Sequence, residues 1–393
     1  MGSELPEGWS IRSLGSFCHQ FKHLNGNRPE IEPLSITKHN GIVLQSEKFN
    51  KRIATNTEIY KVIKRGEFAY DPMSLYYGSI GQLSVADEGV VSPAYITFSV
   101  DSTVNDGWAN SYFQSETALT AYISKTQGGN LDGKRKKTDW EGFASIIVLC
   151  PPLAEQKKIA QILSSVDEAI QATQAVIDQT RRVKEAMLQT LLTRGLGHTR
   201  FQQTEIGEIP EGWEVRPFGT VVESLDSHRV PVKAEVRKTM SGTVPYYGAS
   251  GIIDYVAESL FNEELLLLAE DGANILTRST PVAFVINGPS WVNNHAHVYR
   301  QKGATRLEFL AHVLESQKMD RWATGSAQPK LNAAVVSMIP VQIPPVSEQI
   351  RICEILGAIE ADIDSYASIM KQVAIVKSAL LQTLLSGQTR VTP

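Results

Sequence analysis

Cysteine is scarce in this chain: Cys18, Cys150 and Cys353 are the only three in 393 residues, and their spacing fits no metal-ligand pattern. So small and odd a set gives no disulfide framework and fits a reducing compartment, so a cytoplasmic protein is expected. Long hydrophobic runs are missing as well. The longest candidate, Leu265 to Ala269, is broken at once by Glu270 and Asp271, far short of the ~20 apolar residues of a membrane helix. The opening MGSELPEGWS lacks the basic and apolar stretches of a signal peptide, and no membrane partner is expected. An excess of one charge is also absent. The formal net charge is −4, with 15 basic and 16 acidic side chains in residues 1–150 and 13 and 16 in residues 198–343. That balance is not the bulk signature of a nucleic-acid binder, so any such contact needs a local basic face or help from a partner.

Catalytic motifs are absent too. Gly128 to Lys134 spells G-x-x-x-x-G-K, but Arg135 stands where a Ser or Thr would hold magnesium, and no apolar strand leads into it. Asn287-Gly288-Pro289-Ser290 and Asp71-Pro72-Met73-Ser74 both lack the second proline and the aromatic residue of an adenine-methylating tetrapeptide. No glycine turn has the spacing of an S-adenosylmethionine site, and no short window holds paired carboxylates with a lysine. The expectation is a chain with no active site, no metal and no cofactor of its own.

What the sequence does contain is a duplication. Leu5-Pro6-Glu7-Gly8-Trp9 returns as Ile209-Pro210-Glu211-Gly212-Trp213, 204 residues on. Pro151-Pro152-Leu153-Ala154-Glu155-Gln156 returns as Pro344-Pro345-Val346-Ser347-Glu348-Gln349, and Met187-Leu188-Gln189-Thr190-Leu191-Leu192 as Leu380-Leu381-Gln382-Thr383-Leu384-Leu385, both 193 residues on. Three matched blocks in one order define a tandem repeat. Four segments follow: a globular segment over 1–150, a helix over 151–197, a second globular segment over 198–343 and a second helix over 344–393.

Each helical segment carries a narrow apolar seam. In the first it runs Ile159, Leu163, Val166, Ile170, Thr173, Ile177, Thr180, Met187 and Leu191; in the second, Ile352, Leu356, Ile359, Ile363, Tyr366, Met370, Val373, Leu380 and Leu384. Steps of four and three alternate, as in a coiled coil. The Pro-Pro pairs suit helix starts, and Gly195 and Gly387 suit the stops. A seam of that length needs another helix against it. With a globular segment between the copies, the second helix can run back along the first as an antiparallel pair related by a pseudo-two-fold axis; the alternative is that each helix packs on its own domain. The globular segments read as mixed α and β, with strands over Ala94–Val100 and 281–286 and one late helix each, Asn110 to Thr126 and Arg306 to Ala323.

An opening PEGW, a closing Pro-Pro-Leu-Ala-Glu-Gln and a long helix ending in Gln-Thr-Leu-Leu, all repeated, resemble the specificity subunit of type I restriction–modification systems over essentially the whole chain. Inside the segments, Tyr77-Gly78-Ser79-Ile80-Gly81 with Val91-Ser92-Pro93-Ala94-Tyr95, and Ala269-Glu270-Asp271-Gly272-Ala273-Asn274 with Asn293-Asn294-His295-Ala296-His297, look like the family's first- and second-half patterns. The resemblance implies an α+β fold with two target-recognition domains in pseudo-two-fold tandem repeat, separated by two long helices that form an antiparallel coiled coil. It further implies a non-catalytic subunit that reads a bipartite double-stranded DNA target and docks two methyltransferase subunits on its helices. Restriction and motor subunits complete the assembly, and S-adenosylmethionine, magnesium and ATP belong to those partners.

The candidate DNA-binding residues sit in paired loops. Lys134, Arg135, Lys136 and Lys137 concentrate charge where phosphates can be neutralised, although a solvated charged loop reads the same. The 193-residue offset sets Gly133 to Lys137 against Ser326 to Lys330, which adds Gln328 and Lys330. On a presumed strand, Asn293, Asn294, His295 and His297 offer side chains suited to base edges, as Ser92 and Tyr95 do in the first half; structural hydrogen bonding is the competing explanation, and zinc is disfavoured because no Cys or carboxylate pattern accompanies the two histidines. A coiled-coil adaptor that binds proteins, an enzyme with a divergent site, and a methylation-only relative are the other functional readings.

Overall fold

In the computed structural model, residues 5–38, 40–49, 51, 56–129, 134–325 and 328–392 are described. Residues 130–133 and 326–327, which the sequence pattern places in the paired loops and the glycine-lysine motif, lie outside the described residues, as do the side chains of Lys134 and Arg135. The chain divides into two compact units, Met1–Gln174 with Ser368–Pro393, and Ala175–Ala367. This division cuts both long helices, Leu153–Arg194 and Val346–Leu385, because the helix ends are built into globular cores.

In the first unit, strand Ser10–Ser13 pairs antiparallel with Ile147–Cys150, joining the beginning of the globular segment to its end. A four-stranded antiparallel sheet runs in the order Cys18–Phe21, Ile96–Val100, Phe68–Tyr70, Ile80–Gln82. Successive side chains of a strand point to opposite faces, so Phe68 and Tyr70 enter one core with Phe98, Trp108, Phe113 and Phe143, while Ala69 enters another with Leu34, Ile63 and Val91. The single helix expected over Asn110 to Thr126 is two helices, Asp106–Phe113 and Glu116–Lys125. Ser115 causes the break: its hydroxyl accepts from the Ala118 amide at 3.1 Å, capping a new helix start.

The second unit repeats this plan in different residues. Glu214–Pro217 pairs with Pro340–Ile343, and the sheet order is Val222–Ser224, Ala296–Gln301, Leu265–Ala269, Ala283–Ile286. The sequence run that is too short for a membrane is here the central strand. Leu266 and Leu268 face a core with Phe218, Phe309 and Val313, and Leu265 and Leu267 face one with Phe261, Val292 and Val298. A second sheet joins Gly251–Val256, Ser241–Gly248, Pro289–Val292 and Phe261–Asn262. The late helix spans Leu307–Ser316, and a short turn of tighter helix at Met319–Arg321 replaces the rest of the expected stretch.

Within each unit the start of one long helix lies antiparallel to the end of the other. In the first, Ile159 and Leu163 share a core with Leu384 and Leu385, and Asp167 pairs with Lys377 at 2.5 Å. In the second, Leu191 and Leu192 share a core with Ile352 and Leu356, and Lys184 pairs with Glu360 at 2.6 Å. Of the remaining seam positions, Ile177 is buried, Val166, Ile170, Thr173, Thr180, Met187, Ile359, Ile363, Met370, Val373 and Leu380 are half-buried, and Tyr366 is exposed. Both packing modes are therefore realised, helix against helix and helix against domain. The helices begin just after the Pro-Pro pairs, and Gly195 (φ +63°) and Gly387 (φ +74°) take the left-handed conformation at the stops.

The repeated blocks, distant in sequence, meet in space. Trp9 donates from Nε1 to Glu155 at 3.0 Å, and Trp213 does the same to Glu348. Each glutamate also takes a side chain and a backbone amide from just beyond the other helix's end: Arg390 and Val391 for Glu155, His198 and Leu196 for Glu348. Gln156 and Gln349 each donate back to the first carbonyl of their Pro-Pro pair at 2.8 Å, and each side-chain oxygen accepts the amide of Asn105 or Arg306, at the start of a domain helix. One polar clasp is thus made twice.

Candidate nucleic-acid interface

In the first unit Gln127–Gly129 and Lys134–Lys137 form an antiparallel hairpin. Its base is fixed by Thr138, whose amide donates to the Pro72 carbonyl at 2.9 Å and whose hydroxyl meets that of Thr126 at 3.1 Å. This anchor sets the hairpin beside the turn from Asp71 to Gly78. Lys136 stands 5.4 Å from the centre of the Tyr76 ring, within cation–π range, and the Tyr76 and Tyr77 rings lie against each other with centres 4.2 Å apart and planes tilted by 39°. Lys136, Lys137 and Tyr77 are exposed. Cations that can meet phosphates next to an open aromatic face form a surface suited to nucleic acid. Tyr77 was legible as the start of the pattern Tyr77 to Gly81, but Tyr76 and the approach of Lys136 to it were not.

Ser92 and Tyr95 lie in the turn between the strands Glu88–Val91 and Ile96–Val100. The Ser92 hydroxyl accepts from the Ala94 amide at 3.3 Å and its carbonyl from the Tyr95 amide at 3.0 Å, so much of Ser92 serves the turn itself. Tyr95 is half-buried against the core around Leu34, and Lys61 donates to its carbonyl. Burial, together with the nearby charge of Asp71 and with Tyr60, pushes the Tyr95 phenol above its ordinary range.

The second unit gathers its candidates around one edge. Glu270 donates its amide to the His295 carbonyl, Leu331 donates to the Glu270 carbonyl, each at 2.8 Å, and Gly272 donates to that of Pro329 at 3.0 Å. Asn294, His295, Gln328 and Lys330 are exposed on these joined loops. His295 meets Asp271 at 2.9 Å and Lys330 meets Glu270 at 3.0 Å. Two expectations are corrected here. Asn293 to His295 is a turn between strands rather than strand, with Asn293 buried and its side-chain oxygen accepting the His295 amide at 2.7 Å. His297 is on a strand but only 1% exposed, with Nδ1 at 2.6 Å from Asp226 and Nε2 at 2.8 Å from the Leu331 carbonyl. Both ring nitrogens of His297 are occupied, so it shapes the edge from within, and the Asn293 side-chain oxygen is engaged in the turn.

Sequence reasoning missed the charges behind this turn. Arg229 donates to Glu270 at 2.6 Å and to the Ala296 carbonyl at 2.8 Å, and Asp226 accepts the Val298 amide at 2.9 Å. Burial alone raises the Asp226 carboxyl, but the His297 hydrogen bond and charge, the Val298 amide and Arg229 hold it below the ordinary range. Glu270 behaves alike: burial is outweighed by Arg229 and Lys330. Asp226 and Arg229 sit on and just after a short turn of helix and Glu270 just beyond the strand Leu265–Ala269, so their meeting with His297 carries no local pattern.

The Type I restriction modification DNA specificity domain, as a family model, matches residues 6–180 and again 210–373. The chain belongs to this family. Type I specificity subunits have no catalytic activity of their own. The MjaVIII specificity subunit of Methanocaldococcus jannaschii is 24% identical across 99% of this chain and 95% of its own length. S.HindORF215P of Haemophilus influenzae is 36% identical over 40% of this chain and 41% of its own, so that match spans less than half of the relative. A chain from a study of assembly and conformational transition in the type I R-M system superposes with a TM-score of 0.60 at 13% identity, covering 99% of this chain and 100% of that one. The S subunit of a type I restriction–modification system from M. genitalium gives 0.59 at 13% identity over 98% of each. At such identity the likeness is one of fold. No helix among the described residues is long and apolar enough to cross a membrane.

Proposed function

We propose that this chain reads double-stranded DNA for a type I restriction–modification complex, each globular segment contacting one part of a bipartite target. The observation that carries this reading is the surface made by exposed Lys136 on an anchored hairpin of the first unit, half-buried Tyr76 and exposed Tyr77 beside it. In the second unit Asn294, His295, Gln328 and Lys330 supply exposed groups on a loop edge held rigid from behind, and Lys134 and Arg135 continue the basic strand of the first hairpin. Phosphate contacts position such a complex and base-edge contacts specify the sequence.

On the same reading the long helices dock two methyltransferase subunits. The exposed Val176, Val183, Tyr366, Ile369, Ile375 and Val376 support this, since they leave apolar surface along the helices that neither core covers. S-adenosylmethionine, magnesium and ATP then reside on the methyltransferase and on the restriction and motor subunits. The test is binding of the chain, with its methyltransferase, to duplexes bearing and lacking the methylated motif. A preference for the motif is expected, and equal affinity at every salt concentration contradicts the reading.

A further inference from the structure

A group outside the DNA-facing edges has the chemistry of a metal site. Glu308 and His312 are four residues apart on the helix Leu307–Ser316, so they share one face. That face meets Cys353 on the second long helix, and the ligand atoms of all three lie within 4.8 Å of one another. Cys353 is buried, His312 half-buried and Glu308 exposed. Among the described residues none of the three side chains makes a hydrogen bond or ion pair. Both helices belong to one core, through Leu307, Leu310 and Val313 on one side and Ile352 and Leu356 on the other, so their backbones are fixed.

We propose that Glu308, His312 and Cys353 bind a zinc-class divalent cation that fastens the domain helix to the second long helix. Zinc takes thiolate, imidazole and carboxylate at about 2.0–2.3 Å in a tetrahedron, and water fills a position the protein leaves open. Ligand atoms of such a tetrahedron stand ~3.3–3.8 Å apart, so closing round an ion shortens the separations by at most about 1.5 Å. The flexible Glu308 side chain can supply that shortening. The surroundings suit the ion's charge. Burial, and then Glu308, with Arg306 opposing and Glu354 and Glu360 adding, push the Cys353 thiol up to about 12, so coordination must displace its proton at a cost that the cation's charge offsets. Burial holds the His312 imidazole below its usual range, against Glu360 and with Lys184, which leaves the ring neutral and its lone pair free to coordinate. The sequence hides the set because two ligands come from one helix and the third from another.

The experiment is a titration of the metal-free full chain with cobalt(II) chloride, followed by displacement with zinc chloride. A thiolate-to-cobalt absorption band that saturates at one equivalent, disappears on adding zinc and is lost in Cys353→Ser but kept in Cys18→Ser is expected, and zinc should raise the melting temperature of the unmutated chain. Absence of the band, or a band unchanged in Cys353→Ser, overturns the proposal. Should Cys353→Ser fail to fold by circular dichroism, Glu308→Gln decides, because that position is exposed. A cobalt titration shifted to weaker binding supports the site, and an unshifted one overturns it. No arm involves DNA, so the result is independent of the proposed reading function.

Discussion

Lys136 and Lys137 are the residues on which DNA binding can be examined most simply, because both are exposed and neither makes an ion pair among the described residues. Replacing both by alanine is expected to weaken binding at low salt and to lower the slope of log affinity against log salt by ~0.9 for each phosphate that is no longer neutralised; salt titrations of the variant and the unmutated chain measure it. Glu155 and Glu348 act differently. Each accepts an indole N–H that has nowhere else to go. Glu155→Ala or Glu348→Ala is expected to destabilise its own unit by about 2 kcal/mol, the scale of a hydrogen bond to a charged group plus a stranded donor, and denaturant melts compare the two. Sequence alone marked Trp9, Trp213, Glu155 and Glu348 as repeated. It could not show that the tryptophan of one block donates to the glutamate of another, since that pairing depends on the strand closure of Ser10–Ser13 on Ile147–Cys150.

At the level of elements, the helix stops are sharply constrained. A Cβ on Gly195 would stand 2.6 Å from the Glu348 carboxylate and 2.8 Å from the Trp213 ring, whereas one on Gly197, also at positive φ, would meet nothing within 4 Å. Gly195→Ala should therefore cost distinctly more stability than Gly197→Ala, for which only the backbone term of roughly 1 kcal/mol applies; thermal melts of both variants separate the two terms. The clasps and the network behind the second-unit edge also make stability depend on pH. Asp226, Glu270 and Glu155 have folded-state pKa values below the ordinary range, so they bind fewer protons folded than unfolded at mildly acidic pH. Their contribution is complete above the ordinary carboxylate range near pH 4 and is lost as pH falls through the depressed folded values. The melting temperature should fall on acidification below that range, and less steeply in Asp226→Asn. The long helices and their seams were legible because a period of 3.5 residues survives any partner. The break at Ser115 was not, since a cap competes locally with a good helical pattern, and neither was the burial of His297, because alternation on a strand does not say which face is closed.

For the whole molecule, duplication is what the sequence displayed best. The structure extends it to sheets whose strand order is the same in both units, while the side chains filling them differ. A shared scaffold with two different edges, one basic and aromatic, the other of mixed charge, is what two independent readers on one chain require. The near-neutral net charge that argued against DNA binding averages over these edges and so hides the local cations of the first hairpin. The most direct test of this account is to map methylated sites in cells carrying the complex, then repeat the map after residues 10–150 are exchanged for those of a relative. The account predicts a split motif in which one half changes and the other half stays the same. A motif that changes in both halves, or an unchanged one, would contradict it.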